Sequence, residues 1–264
     1  MAFKAHFLNV GCADCTIFEI GNDLVMIDCG YRQFNNSPSK PTNIMDYLKY
    51  EIRKTYIDLL IISHPHHDHY LGMEELIGNI TVAEFWGSPY DRRYGDNSLS
   101  LDDWNEYCDL KEKLVPDLHW RFTCTKGVKQ AFSSSTFVVL GPRKDVNANE
   151  ARECHDACLV IWISSPANNF IICGDASDHE LEQIRTDWNL AGCNVLRASH
   201  HGSENGANLE FIKSVSPRDA IISTKSGIFE NLPSSTALQR YRNNSEHVFR
   251  TDIDGTCTTP LALI

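Results

Sequence analysis

Four histidines and an aspartate crowd into six residues, His64-Pro65-His66-His67-Asp68-His69, in a chain of 264 residues with eleven histidines. Imidazole and carboxylate are the natural donors for zinc, iron and manganese. The alternate spacing of His64 and His66 lets both rings point to one ion from an extended turn. Asp68 and His69 can then face a second ion beside it. A His-rich solvated tract would have the same composition, but this run lies between a short apolar strand-like segment, 58–63, and a helical pattern, 70–77.

A weak internal echo supports a built site. The apolar run 24–28 ends in Asp28, and the next such run ends in Ser63-His64. Later, the run 170–175 ends in Asp175, and Ser199-His200-His201 follows the run 195–198. Each half thus places an Asp and then His at strand C-terminal ends, and two such halves face to face gather both clusters at one edge.

The elements that must position these groups follow from apolar periodicity. Alternating or short apolar runs predict strands at 5–10, 15–20, 24–28, 58–63, 81–86, 137–140, 159–164, 169–173, 195–198 and 220–223. Helical spacing predicts helices at 41–56, 70–77, 101–114, 178–188, 208–214 and 235–243. No composition shift or linker divides the chain, so 1–264 reads as one α/β domain. The stretch 87–130 is the least patterned and reads as an insertion or lid.

Composition narrows the function classes. With 42% hydrophobic and 22% charged residues the chain has enough apolar surface to fold. No apolar run approaches the roughly 20 residues of a membrane span. The formal charge of −11 counts against a passive nucleic-acid binder, which carries a basic footprint. Ten cysteines invite a disulfide framework. However, several lie inside apolar runs, and the first residues show no leader pattern, so free thiols in a cytoplasmic protein are expected. The CxxC of Cys12 and Cys15 lacks a second pair at zinc-finger spacing and reads as packing.

The run from Ser63 to His69, followed by Tyr70-Leu71-Gly72, resembles the HxHxDH signature of the metallo-β-lactamase superfamily. The stretches around His6–Asp14, Asp28, 137–142, Asp175, 195–203 and 249–255 follow in an order similar to the metallohydrolase branch of ComEC-type DNA-uptake proteins. That resemblance implies an αββα sandwich, two facing mixed sheets with helices outside, and a dinuclear site at the sheet edges. It assigns His64, His66 and a His near 155, His155, to a first metal. It assigns Asp68, His69 and one of His200 and His201 to a second, with Asp175 bridging; His201 is the expected ligand and His200 the substrate-facing group. Catalysis is then expected from Asp68, from His200 and from Asp28, the last by steadying the His loop. Where that branch carries a Gly-His-Pro, this chain has Leu232 before Pro233, and Lys225 is a candidate anion-binding replacement.

Two divalent ions, zinc or manganese, would make the chain a hydrolase working through metal-bound hydroxide. The resemblance points to a phosphodiesterase or nuclease acting on DNA or RNA, with Arg92, Arg93, Arg121, Lys126 and Lys129 as a local basic groove. A small-molecule hydrolase of a phosphoester, cyclic nucleotide or lactam-like ester fits the acidic charge without such a groove. An effector subunit activated by a protein partner is the third reading, and no membrane partner is expected.

Overall fold

The computed structural model describes residues 3–31, 41–91, 98–146, 153–227, 229 and 231–260. Strands β1 (Phe3–Phe7), β2 (Thr16–Ile20), β3 (Asp23–Ile27), β4 (Tyr56–Ile62), β5 (Thr81–Gly87) and β6 (Arg121–Thr123) build the first sheet. The second is made by β7 (Lys129–Phe132), β8 (Ser135–Gly141), β9 (Val160–Ser164), β10 (Asn169–Ile172), β11 (Val195–Arg197), β12 (Asp219–Ile222) and β13 (His247–Arg250). β14 (Cys257–Thr258) then returns to pair with β1. The spatial orders are β14-β1-β2-β3-β4-β5-β6 and β13-β12-β11-β10-β9-β8-β7. Both sheets are mixed, and in each the parallel pairs form one flank: β3 to β6 in the first, β10 to β13 in the second.

Period-two alternation in strands buried on both faces decides the layering. In β3, Leu24 and Met26 face the helices outside the first sheet, while Val25 and Ile27 face the other sheet. In β10, Phe170 and Ile172 join the inter-sheet core and Ile171 joins the outer one. The first outer layer is packed by α1 (Ile44–Asp46), which continues as a wider-wound turn to Ile52, and by α2 (His67–Tyr70), α3 (Met73–Leu76) and α4 (Leu101–Leu114). The second is packed by α5 (Asp178–Asp187), α6 (Leu209–Val215) and α7 (Ser235–Asn244), and α8 (Thr251–Asp254) follows β13. Ser100, Ser177, Asn208 and Ser234 cap α4 to α7 through side-chain oxygens that accept an N–H of the first turn. The result is the αββα sandwich expected from sequence.

Three local expectations change. The first strand ends at Phe7, and the apolar stretch that follows is a buried loop through Leu8, Val10, Cys12, Ala13 and Cys15. Alternation persisted in sequence because that loop is itself buried. The helix expected at 41–56 is shorter, closing at Arg53 with φ 61°. Within 87–130, the described residues supply α4 and an edge strand to each sheet, β6 and β7, and Ser98, Leu99 and Asp103 stand at the site cavity. Arg92 and Arg93 lie outside the described residues. No helix among the described residues is long and apolar enough to cross a membrane.

Candidate metal centre

The parallel flanks of both sheets end at one place. Asp28 follows β3 and His64 follows β4; Asp175 follows β10, and His200 and His201 follow β11. Since the paired strands run parallel, their C-terminal loops emerge side by side. Three of these residues hold left-handed backbone conformations without being glycine: Asp28 (φ 57°), His200 (φ 50°) and His201 (φ 51°). Strain of this kind persists where surrounding structure over-determines it.

His64, His66 and His155 form the first cluster. His66 Nδ1 lies 2.9 Å from His64 Nε2 and 3.2 Å from His155 Nε2. His64 is fully buried, and its Nδ1 donates to Ser63 Oγ at 3.1 Å, leaving Nε2 as the lone-pair side. Burial, followed by the neighbouring His69 and His66, pushes the His64 pKa well below the usual imidazole range. Burial likewise pushes His155 down to about 3, against the opposing pull of Asp175. The neutral rings of His64 and His155, converging with His66 nitrogen to nitrogen, offer the geometry a divalent cation requires.

The second cluster is richer in carboxylate. Asp14, His69, Asp175 and His201 each offer one donor atom, all within 4.8 Å of one another. His69 Nδ1 donates to Asp28 Oδ2 at 2.8 Å, and its Nε2 is 3.3 Å from Asp175 Oδ1. His201 Nδ1 donates to the Ser223 carbonyl at 2.9 Å, turning Nε2 towards Asp68 Oδ2 at 3.4 Å and Asp175 Oδ2 at 3.5 Å. Asp14 Oδ1, His69 Nε2, Asp175 Oδ1 and His201 Nε2 are buried with no hydrogen-bond partner among the described residues. Orphaned buried polar atoms are costly, and a bound cation would remove that cost. Burial opposes the charge on Asp175, yet His201, His69 and His200 hold its pKa well below the carboxylate range. Burial also opposes charge on His69, but Asp175 and Asp28 outweigh it and raise its pKa. Burial opposes the charge on Asp68, yet the neighbouring imidazoles of His201 and His69 hold its pKa below the carboxylate range.

The structure therefore brings together every residue expected at the metals. Asp28 holds the His loop from behind: Ser63 N donates to its Oδ1 at 2.7 Å and Ser63 Oγ to its Oδ2 at 2.8 Å. Between His200 and His201, it is His201 that enters the tight four-residue set. His200 lies on the cavity wall, 3.9 Å from Asp175 Oδ2, with Nδ1 donating to the Asn205 carbonyl at 3.1 Å. That bond leaves Nε2 as the ring nitrogen facing Asp175.

Asp14 and Arg197 are the residues sequence reasoning missed. Asp14 ends the stretch His6–Asp14 that follows the family's order, but no spacing rule joins it to the histidines. The expected basic groove also dissolves among the described residues. Arg121 pairs with Glu112 at 3.4 Å, Lys126 with Asp187 at 2.8 Å, and Lys129 sits on edge strand β7. Lys225 is buried after β12 and is not among the residues lining the cavity. Leu232 is on that wall. All ten cysteines are free thiols, nine of them buried, including Cys12 and Cys15.

Two facing mixed sheets with a His/Asp site able to hold two metals at one edge define a class of metal-dependent proteins. The chain belongs to the metallo-beta-lactamase superfamily, whose model matches residues 9–226. ComE operon protein 3 of Bacillus subtilis (strain 168) is 29% identical over 120 residues, covering 46% of this chain and 15% of that protein. The chain therefore spans a small part of the length of the curated relative it matches. Among solved structures, CmlA, a diiron β-hydroxylase from Streptomyces venezuelae, superposes with a TM-score of 0.60 at 11% identity, over 94% of this chain and 52% of that one. Igni18, a metallo hydrolase from the archaeon Ignicoccus hospitalis KIN4/I, gives 0.56 at 15% identity, over 97% and 98%. A diphosphatase of the PhnP family gives 0.50 at 11% identity, over 99% of both chains. At these identities the likeness is one of fold, and the fold carries both hydrolysis and diiron oxidation.

Proposed function

We propose that the protein is a dinuclear metallohydrolase that cleaves small phosphodiesters, in the cytoplasm, with zinc or manganese. One observation carries this reading: the site opens into a cavity of about 820 Å³ whose described lining contains no Lys or Arg. That volume suits a small molecule. Phosphate charge in such a cavity is met by the metals and by the first turn of α7, whose Ser234, Ser235 and Thr236 line one wall. A polymer would need further cations along its backbone, whereas the rim carries Asp103 and Glu204. Leu99, Phe229 and Leu232 offer an apolar face to the leaving group.

In this reading His64, His66 and His155 would hold one ion, and Asp68, His69, His201 and Asp175 would serve the other. The ions would polarise a phosphoryl oxygen and lower the pKa of the attacking water. Asp28 fixes His69 and the start of the His loop. His200 takes up a proton at Nε2 and returns it to the leaving oxygen.

A nuclease is the second reading, favoured by the likeness to ComE operon protein 3 and by the motif order shared with the DNA-uptake branch. The test offers manganese- or zinc-loaded protein a chromogenic phosphodiester, a cyclic nucleotide, single- and double-stranded DNA, and RNA. Cleavage of the small diesters, lost in the His66→Ala/Asp68→Ala double variant, is the expected result. Cleavage of polymers alone overturns it in favour of the nuclease. Inactivity on every substrate overturns both and points to a subunit that a partner protein activates.

A further inference from the structure

The two clusters of donors differ in chemistry, and the difference traces to a pair of residues outside the HxHxDH run. Asp14 lies in the buried loop between β1 and β2, and Arg197 ends β11 in the opposite sheet. Arg197 is among the largest fully buried side chains, at 1% exposure, and Asp14 is 3% exposed. Arg197 Nη2 donates to Asp14 Oδ2, while Nη1 donates to the carbonyls of Gly174 at 2.5 Å and Ala198 at 2.6 Å. The guanidinium thus ties the loops carrying Asp14, Asp175 and His201 to one another. It occupies Oδ2 of Asp14 and leaves Oδ1 buried with no hydrogen-bond partner among the described residues, and Asp14 belongs to a donor set with His69, Asp175 and His201. The backbone fixes the loop further: Asp14 N donates to the Asp68 carbonyl at 3.0 Å, and Gly30 N to the Asp14 carbonyl at 2.8 Å.

An unpaired buried guanidinium would be strongly destabilising, and so would an unpaired buried carboxylate. Each therefore requires the other, but the pairing alone does not account for the orphaned second oxygen. The first cluster offers three imidazole nitrogens. The second offers two imidazoles with the carboxylates of Asp14 and Asp175, and Asp68 beside them. Nitrogen-rich sets suit zinc, and oxygen-rich sets suit harder ions such as manganese.

We propose that Asp14, held by Arg197, is an additional oxygen donor of the second metal position and makes that position prefer a harder divalent ion than the first. The proposal rests on the dinuclear reading above, and the experiment separates the two. Metal-free full-length protein is titrated with zinc and with manganese, singly and in competition. Bound metal is counted by elemental analysis, and bound manganese is followed by its electron paramagnetic resonance. The wild type is expected to bind two ions, with manganese retained at one position when zinc fills the other.

Asp14→Asn should weaken the second ion about 10–100-fold, the range for disturbing the groups that hold a metal site, and leave the first unchanged. Because Asp14→Asn strands a buried Arg197, the Asp14→Asn/Arg197→Gln variant removes both charges together and should fold while losing the second ion to the same degree. Asp14→Glu keeps the charge and should restore part of the affinity. Wild-type protein that binds one ion overturns the dinuclear reading and this proposal together. Wild-type protein that binds two, with both Asn variants also binding two at wild-type affinity and selectivity, overturns this proposal alone. A folded double variant that has lost both ions equally also overturns it, since the effect would then not belong to the second position.

Discussion

The two halves of the site occupy matching places in the two sheets and do different work. In the first half, Asp28 follows β3 and His64 follows the parallel neighbour β4; in the second, Asp175 follows β10 and His201 follows the parallel neighbour β11. Asp28 spends both oxygens on Ser63 and His69. Asp175 Oδ1 has no hydrogen-bond partner among the described residues, and the carboxylate faces three histidines at 3.3–3.9 Å. The loop that follows each strand decides which. After β10 the chain turns at Gly174 (φ 50°), and the next residue is delivered into the gap between the sheets. After β3 it is Asp28 itself that takes the left-handed turn, and its carboxylate is used inside its own sheet. Equivalent topology therefore does not assign equivalent roles.

The largest break in this comparison is expected from the aspartates. Asp175→Asn should bring hydrolysis to background and lower the bound metal count, since it removes the charge shared by both clusters. Asp28→Asn should retain metal binding but weaken it, with activity, by about 10–100-fold. Elemental analysis and initial rates on one diester check both. Equal losses would show the two positions to be equivalent after all.

The glycines beside those strands come next. A Cβ on Gly30 would lie 1.6 Å from the Asp68 carbonyl oxygen, whereas one on Gly174 would meet Cys158 Sγ at 2.6 Å and Ser63 Cβ at 2.7 Å. Side chains yield more readily than backbone, although Gly174 also carries a left-handed φ. Gly174→Ala should cost about 1–3 kcal/mol by overpacking, and Gly30→Ala more, with displacement of the His loop. Denaturant unfolding measures this; a Gly30→Ala protein as stable as wild type would break the argument.

The smallest expected effect concerns the packing under the second half. Glu180 in α5 is 1% exposed, and neither carboxyl oxygen has a hydrogen-bond partner among the described residues. Burial, then the charge of Asp156, raises its pKa well above the ordinary 4.5. The folded protein therefore keeps a proton that the unfolded chain releases. The resulting stability is present in full below the ordinary value and falls as pH rises towards the native one. The slope is at most about 1.4 kcal/mol per pH unit. Glu180→Gln should flatten that decline above pH 4.5, read from unfolding midpoints across pH; an unchanged slope would place the native proton elsewhere.

How far the sequence could be read follows from how far apart the cooperating residues lie. The helices 101–114, 178–188, 208–214 and 235–243 were legible within a residue or so, because periodicity and capping are local. The short strands β6, β7, β13 and β14 were not, since each is defined by the edge it joins. The metal histidines were legible for the same reason of locality, His64, His66 and His69 lying on one turn. The preference for His201 over His200 came from the family resemblance, and its physical reason, the Ser223 carbonyl that turns the His201 ring, lies 22 residues further along the chain.

By itself, then, the sequence determined an α/β domain and the donor chemistry of the His/Asp run, since alternation and a dense run act over a few residues, while the αββα class and the remaining donors were implied by the family resemblance. Only the tertiary structure decided that Asp14 and Arg197 belong to the site and that the expected bases Arg121, Lys126 and Lys129 lie away from it. Those outcomes depend on which loops meet when two sheets close on a shared apolar core, and pairing across sheets leaves no period in the chain.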